Sequence, residues 1–279
     1  MQRLARFADS RPGAFGLVVT VAFLVIVVAA GVVSYPVAGE AGQAVVSGTV
    51  MLLGAGALLL LLRSLGWLGS AWVTRAGDRS AWWRLSWVLV YLPVVTLAAF
   101  LPDTDRTLPH WESAVALAFQ SLVSGGLLQE ITFRALVLYA LLHAWYRRPA
   151  GVFRALLASA VLFSAAHVLN LASGMGAGVV GLQILDTLLA GLYLGAFVIH
   201  AGSIWPAVVV HGLGNAVVTV VAAGTPDFAD TPRAWLMLVA LKAPVYFYAI
   251  YLARRSAAAA SPGGDPRGRE DAQWQAPSA

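Results

Sequence analysis

Long apolar runs joined by short polar segments dominate the chain. A helix needs about 20 mainly apolar residues to cross a bilayer. Eight stretches meet that need: 15–35, 46–67, 84–101, 113–145, 152–170, 179–199, 204–223 and 234–253. Each is too long and too uniformly apolar for the alternation of a half-buried strand. The pattern predicts an all-α, polytopic membrane bundle of about eight transmembrane helices. The first stretch follows Arg3, Arg6 and Arg11, as a signal peptide would. Its apolar part, Leu17 to Tyr35, spans 19 residues, longer than an h-region of about 7–15, and further spans follow. It reads as an uncleaved first helix. The fourth stretch, at 33 residues, is too long for one straight crossing, and Ser124-Gly125-Gly126 is the expected place for it to break.

Composition agrees. Hydrophobic residues make up 59% of the 279 and charged residues 11%, against about 25% in soluble domains. A large soluble domain has no room beside the spans. The net charge of +5 rests on arginine, with Lys242 the only lysine. Basic balance alone would suit nucleic acid, but these arginines flank apolar segments, so no nucleic-acid partner is expected and the bilayer is. With the N-terminus inside, inner segments hold fourteen arginines (3, 6, 11, 63, 75, 79, 84, 147, 148, 154, 254, 255, 267 and 269). Outer loops hold only Arg106 and Arg233, beside Asp103, Asp105, Asp227 and Asp230. This bias orients the chain with both termini cytoplasmic, as an even number of spans requires. Trp111, Trp205 and Trp235 are expected as interfacial anchors. The expected location is a bacterial plasma membrane. Residues 1–14 read as a cytoplasmic segment, 15–255 as the transmembrane domain and 256–279 as a disordered tail. The chain has no cysteine, which removes disulfides, thiol catalysis and thiolate-bound metals.

Ionisable groups in hydrocarbon are costly and usually mark function. Within the spans they are Glu130, Arg134, Asp186 and Lys242, joined by Gln129, His143, His167, Asn170, Gln183, His200, His211 and Asn215. Glu130 and Arg134 are four apart and share a helical face. So do His211 and Asn215, on another helix, while His167 lies on a third. Any one of these is explained by structure alone; three helices each carrying one point to a shared cavity. Asp186 and Lys242 suit a structural pair with each other, or with Arg134 or Gln183, and Pro244 makes a kink near Lys242 an expectation.

Gln129-Glu130-Ile131-Thr132-Phe133-Arg134 resembles the Glu-Glu-x-x-x-Arg motif of the CAAX prenyl protease and bacteriocin-processing (CPBP, or Abi) family of membrane proteins. Phe163-Ser-Ala-Ala-His167 resembles its Phe-x-x-x-His motif, and His211-Gly-Leu-Gly-Asn215 its His-x-x-x-Asn/Asp motif. Gly202-Ser203-Ile204-Trp205-Pro206 is also similar to the family. The order fits, and the resemblance covers about 110–225, a peptidase-like core. It implies an intramembrane endopeptidase that hydrolyses a peptide bond of a membrane-anchored or prenylated protein or peptide. In the family the first glutamate and the Phe-x-x-x-His histidine activate water, and the later His and Asn stabilise the oxyanion. The resemblance thus implies Gln129, Glu130, Arg134, His167, His211 and Asn215 as the site. No cofactor is firmly implied. In an older view of the family the glutamate and histidines bind a divalent metal such as zinc, which here would fall to Glu130, His167 and His211.

One departure matters. Gln129 stands where the motif has its first glutamate, and an amide cannot act as a general base. Glu130 is rotated about 100° further round the helix. Either the site tolerates the change, or Glu130 takes over, or the chain is a degenerate member that binds or scaffolds without cutting. Other classes fit less well. The chain has no His-Glu-x-x-His metal motif, an aspartyl dyad would need a partner for Asp186, Ser173-Gly174 is a weak nucleophile signal, and no matched halves suggest a transporter.

Overall fold

The computed structural model describes residues 2–100, 109–146, 148, 150–223 and 232–259. The expected outer-loop charges Asp103, Asp105, Arg106, Asp227 and Asp230, together with Arg147 and the tail beyond 259, lie outside the described residues.

Among the described residues every regular element is helical. A short α1 (Gln2–Ser10) precedes α2 (Pro12–Ser34), α3 (Glu40–Ser64) and α4 (Arg79–Phe100). A continuous helical path then runs from Trp111 to Trp145, followed by α7 (Gly151–Ala165) and a 3-10 segment (Ala166–Leu171). Next come α8 (Ala177–Ala201), α9 (Trp205–Ala223), α10 (Pro232–Leu241) and α11 (Ala243–Ala259). Seven of these are long and apolar enough to cross a bilayer. The pair Trp235–Leu241 and Ala243–Arg254, bent by 48°, makes an eighth if taken as one span. The protein is an all-α polytopic bundle, as the apolar runs predict.

The spans are apolar all round because lipid replaces water outside them. On α2, Phe15, Val19 and Phe23 pack inward while Val21, Val25, Val28 and Val32 are exposed. The path Trp111–Trp145 differs. Its apolar window is 89% buried, against 28–50% in the other six, so it is the axis of the bundle.

The axis does not break at Ser124-Gly125-Gly126. It passes from α5 (Trp111–Ser121) into a π-helix (Leu122–Leu128), and after Gln129 and Glu130 into a second (Ile131–Leu138), before ending as α6 (Tyr139–Trp145). The glycines serve packing rather than a turn. A Cβ on Gly126 would lie 2.9 Å from the Val208 carbonyl oxygen and 3.1 Å from Gly212 Cα on α9. Small residues let two backbones meet at this distance. Lipid offers no partner for a freed amide or carbonyl, so widening the turns is the available response where a break would strand them. Such π segments concentrate at functional sites.

Polar joints hold one end of the bundle together. Ser203 Oγ donates to the Arg75 carbonyl (2.7 Å), Trp205 Nε1 to that of Val73 (2.9 Å), and the Asp78 amide to that of Ala201 (3.1 Å). The loop before α4 is thereby tied to the α8–α9 turn. Gly77 must be glycine there: its φ is +82°, and a Cβ would sit 2.8 Å from the Ala201 carbonyl oxygen. Asp78 caps α4 through Ser80, and those bonds hold its carboxyl below the ordinary aspartate range. Of the expected anchors, Trp111 and Trp205 are exposed at helix starts, but Trp235 is buried beside Val179, Val221 and Leu238.

Candidate active site

Glu130 occupies the joint between the two π segments and is 0% exposed, as is Arg134. One carboxylate oxygen, Oε2, lies 3.1 Å from Arg134 Nε, an ion pair held by charge rather than by a well-aligned hydrogen bond. The other, Oε1, accepts from His211 Nδ1 on α9 at 2.7 Å. Two helices 81 residues apart in sequence are thus joined by one carboxylate.

Phe163 on α7 gathers the rest. The Arg134 guanidinium lies over its ring, 4.9 Å from the centroid. A ring face attracts a cation, more strongly where water is excluded. His167 and His211 meet the same ring edge-on, with centroids at 5.2 and 5.6 Å, and Phe133 does so at 5.2 Å. Phe163 is thus the common neighbour of all three polar residues. Sequence reading gave it only as a motif letter; an aromatic four residues before a membrane histidine was the available signal.

His167 is the second residue of the 3-10 segment and is half-buried. Its Nδ1 lies 3.1 Å from the Phe163 carbonyl oxygen. A carbonyl can only accept, so Nδ1 carries the proton and, in the neutral ring, the Nε2 lone pair is left available. Asn215 lies one turn beyond His211, and its amide rests against Gly125: a Cβ there would be 2.1 Å from Asn215 Nδ2. Gly125 therefore makes room for that side chain. Gln129 Oε1 is buried with no hydrogen-bond partner among the described residues.

The donors do not fit the conditional metal set. Among the described residues no group of three His, Asp or Glu side chains could hold a metal ion. Glu130 and His211 are bonded directly to each other, and Arg134 already supplies a cation to the second carboxylate oxygen. A divalent ion would have to displace both.

Asp186 and Lys242 pair with each other, not with Arg134 or Gln183. Lys242 Nζ donates to Oδ1 (3.0 Å) and Oδ2 (2.8 Å), and the Tyr246 hydroxyl, which sequence reading passed over, donates to Oδ1 (2.5 Å). Lys242 stands at the bend between α10 and α11, as Pro244 suggested. Gln183 instead accepts from Asn170 Nδ2 at 2.7 Å, and His143 faces Asp9 at 3.6 Å.

Fold and site together define a polytopic helical membrane protein with a buried Glu–Arg–His centre assembled from separate spans. Residues 111–217 match the family described as type II CAAX prenyl endopeptidase Rce1-like. The match runs from the start of α5 past Asn215 and takes in all three motifs. No curated protein matches the chain.

Proposed function

We propose that the protein is an intramembrane endopeptidase acting on a lipid-anchored or otherwise membrane-associated protein, with His167 as the base. The observation that carries this reading is the division of labour between carboxylate and histidines. Both Glu130 oxygens are committed to Arg134 and His211, whereas His167, which shares the Phe163 ring with His211, keeps its Nε2 lone pair because Nδ1–H donates to the Phe163 carbonyl. Glu130 does not replace the missing glutamate; it positions His211.

In this mechanism water gives a proton to His167 Nε2 as its oxygen attacks the scissile carbonyl carbon. Gln129 Oε1, a buried acceptor without a partner among the described residues, orients that water by accepting its second O–H. Negative charge develops on the carbonyl oxygen. Asn215 Nδ2 donates to it, and when both nitrogens of His211 carry protons its Nδ1–H donates to Glu130 and its Nε2–H to the oxyanion. His167 then passes its proton to the amide nitrogen as the C–N bond breaks, leaving an acid and an amine. The arginine bias supports a site in the plasma membrane with both termini cytoplasmic.

Cleavage of a membrane-presented peptide library by the protein in proteoliposomes tests the reading. Activity is expected to survive a chelator with less than about a twofold change, since no step uses a metal. Loss of activity to the chelator and recovery with zinc would overturn the mechanism. Gly125→Ala is expected to match Asn215→Ala, a fall in kcat of about 10²–10³ for one lost oxyanion donor, because the new methyl takes the space of the Asn215 amide. Parallel kinetics of the two variants check this. A second reading, a binding protein that has lost catalysis, is favoured by Gln129 alone and predicts no cleavage under any of these conditions.

A further inference from the structure

The catalytic reading leaves one charged cluster unused. Asp186, on α8, accepts three hydrogen bonds from the bent C-terminal span, two from Lys242 and one from Tyr246. The Asp186 and Lys242 side chains are 7% and 12% exposed. Lys242 and Tyr246 lie beyond residues 111–217, so this span is additional to the Rce1-like segment.

The two halves of α8 are held differently. Its second half packs through glycines: a Cβ on Gly191 would lie 2.8 Å from Ala160 Cα, and one on Gly195 2.7 Å from a Leu156 methyl, both on α7. That contact is close and fixed. In the first half, a Cβ on Gly178 or Gly181 would meet nothing within 4 Å. This half packs through Val179 against Val221, Trp235 and Leu238, and adds two polar side chains three residues apart on one face. Gln183 accepts from Asn170 in the 3-10 segment that carries His167. Asp186 takes Lys242 and Tyr246. Seven residues on from Asp186, Tyr193 packs against Tyr246 at 6.2 Å. A 3-10 helix has poor hydrogen-bond geometry and little rigidity of its own, so the 166–171 segment takes its position from what it is tied to.

We propose that Asp186, Lys242 and Tyr246 form a polar clamp by which the bent C-terminal span fixes the first half of α8, and through Gln183 and Asn170 the position of His167. The three are positioning residues, because none touches the reacting atoms. The proposal rests on His167 being the base only for its kinetic consequence; the structural consequence stands independently. Lys242 also suits the site it occupies, at the end of α10, where the last carbonyls favour a cation.

The test uses full-length protein in nanodiscs with 15N-labelled histidine, the His167 ring signals being assigned by their loss in His167→Gln. Lys242→Met and Asp186→Asn are expected to shift the His167 ring nitrogens. They should also lower kcat by about 10- to 100-fold, the usual cost of misplacing a reacting group, with KM held within about threefold. Tyr246→Phe should give a smaller change of the same kind, and it carries the test if the ion-pair variants do not fold. Lys242→Arg, which keeps the cation, should restore both readouts. Should wild type prove unable to cleave while the His167 signals still move, the clamp stands and the peptidase reading falls. Folded variants with unmoved His167 signals would overturn the clamp, whatever their activity.

Discussion

Glu130→Ala is expected to destabilise the protein by about 3–5 kcal/mol, the cost of leaving one member of a buried ion pair uncompensated. Arg134 is 0% exposed and, among the described residues, pairs with no other carboxylate. The face of Phe163 beneath its guanidinium attracts a cation but cannot replace a counter-ion. His211 loses its Nδ1 acceptor in the same step. The double variant Glu130→Ala, Arg134→Met should recover much of the loss, because a buried pair replaced by apolar residues is often neutral or stabilising. Denaturant titration of the three proteins in mild detergent measures this. Equal stability of wild type and Glu130→Ala would show that the carboxylate does not hold the core together.

His167→Ala is expected to behave in the opposite way. Cleavage should fall by about 10²–10⁴, the usual contribution of a positioned base, while stability changes by less than about 1 kcal/mol. The ring is half-buried and its hydrogen bond is local, to the Phe163 carbonyl four residues back, so little tertiary structure depends on it. Initial rates beside unfolding midpoints separate the two roles. A His167→Ala protein that cleaves at the wild-type rate would remove His167 from the reaction. In the proposed mechanism Glu130 and His167 divide the centre, one chiefly holding it and the other reacting in it.

The bundle was legible because run length is a strong signal in membrane chains. Eight apolar stretches gave seven single spans and one bent pair, with the bend at Lys242 foreshadowed by Pro244. Spacing showed that Glu130 and Arg134 share a face, but not that Glu130 reaches His211, since that bond depends on how α9 meets the axis. Counted from the predicted inner ends, Glu130 lies deeper than His211, yet the two are bonded. An axis of 35 residues is about 50 Å long at 1.5 Å per residue, well beyond a hydrocarbon core of about 30 Å. It must incline or project, so residue counting along it is a poor gauge of depth. The π segments were illegible for a related reason. Ser124-Gly125-Gly126 reads as a break in isolation; only the approach of Val208, Gly212 and Asn215 shows why those residues are small. Asp186 and Lys242 were correctly suspected as a pair, while Tyr246 was missed because a tyrosine in a span is ordinarily an interfacial residue.

The most direct measurement is the initial rate of peptide cleavage in proteoliposomes by wild type and Gln129→Glu, run side by side. In the proposed mechanism His167 is the base and Gln129 orients the water, so wild type is expected to cleave. The added carboxylate should raise that rate rather than create it. A silent wild type, with cleavage appearing only in Gln129→Glu, would contradict the account and leave a binding protein built on a protease fold.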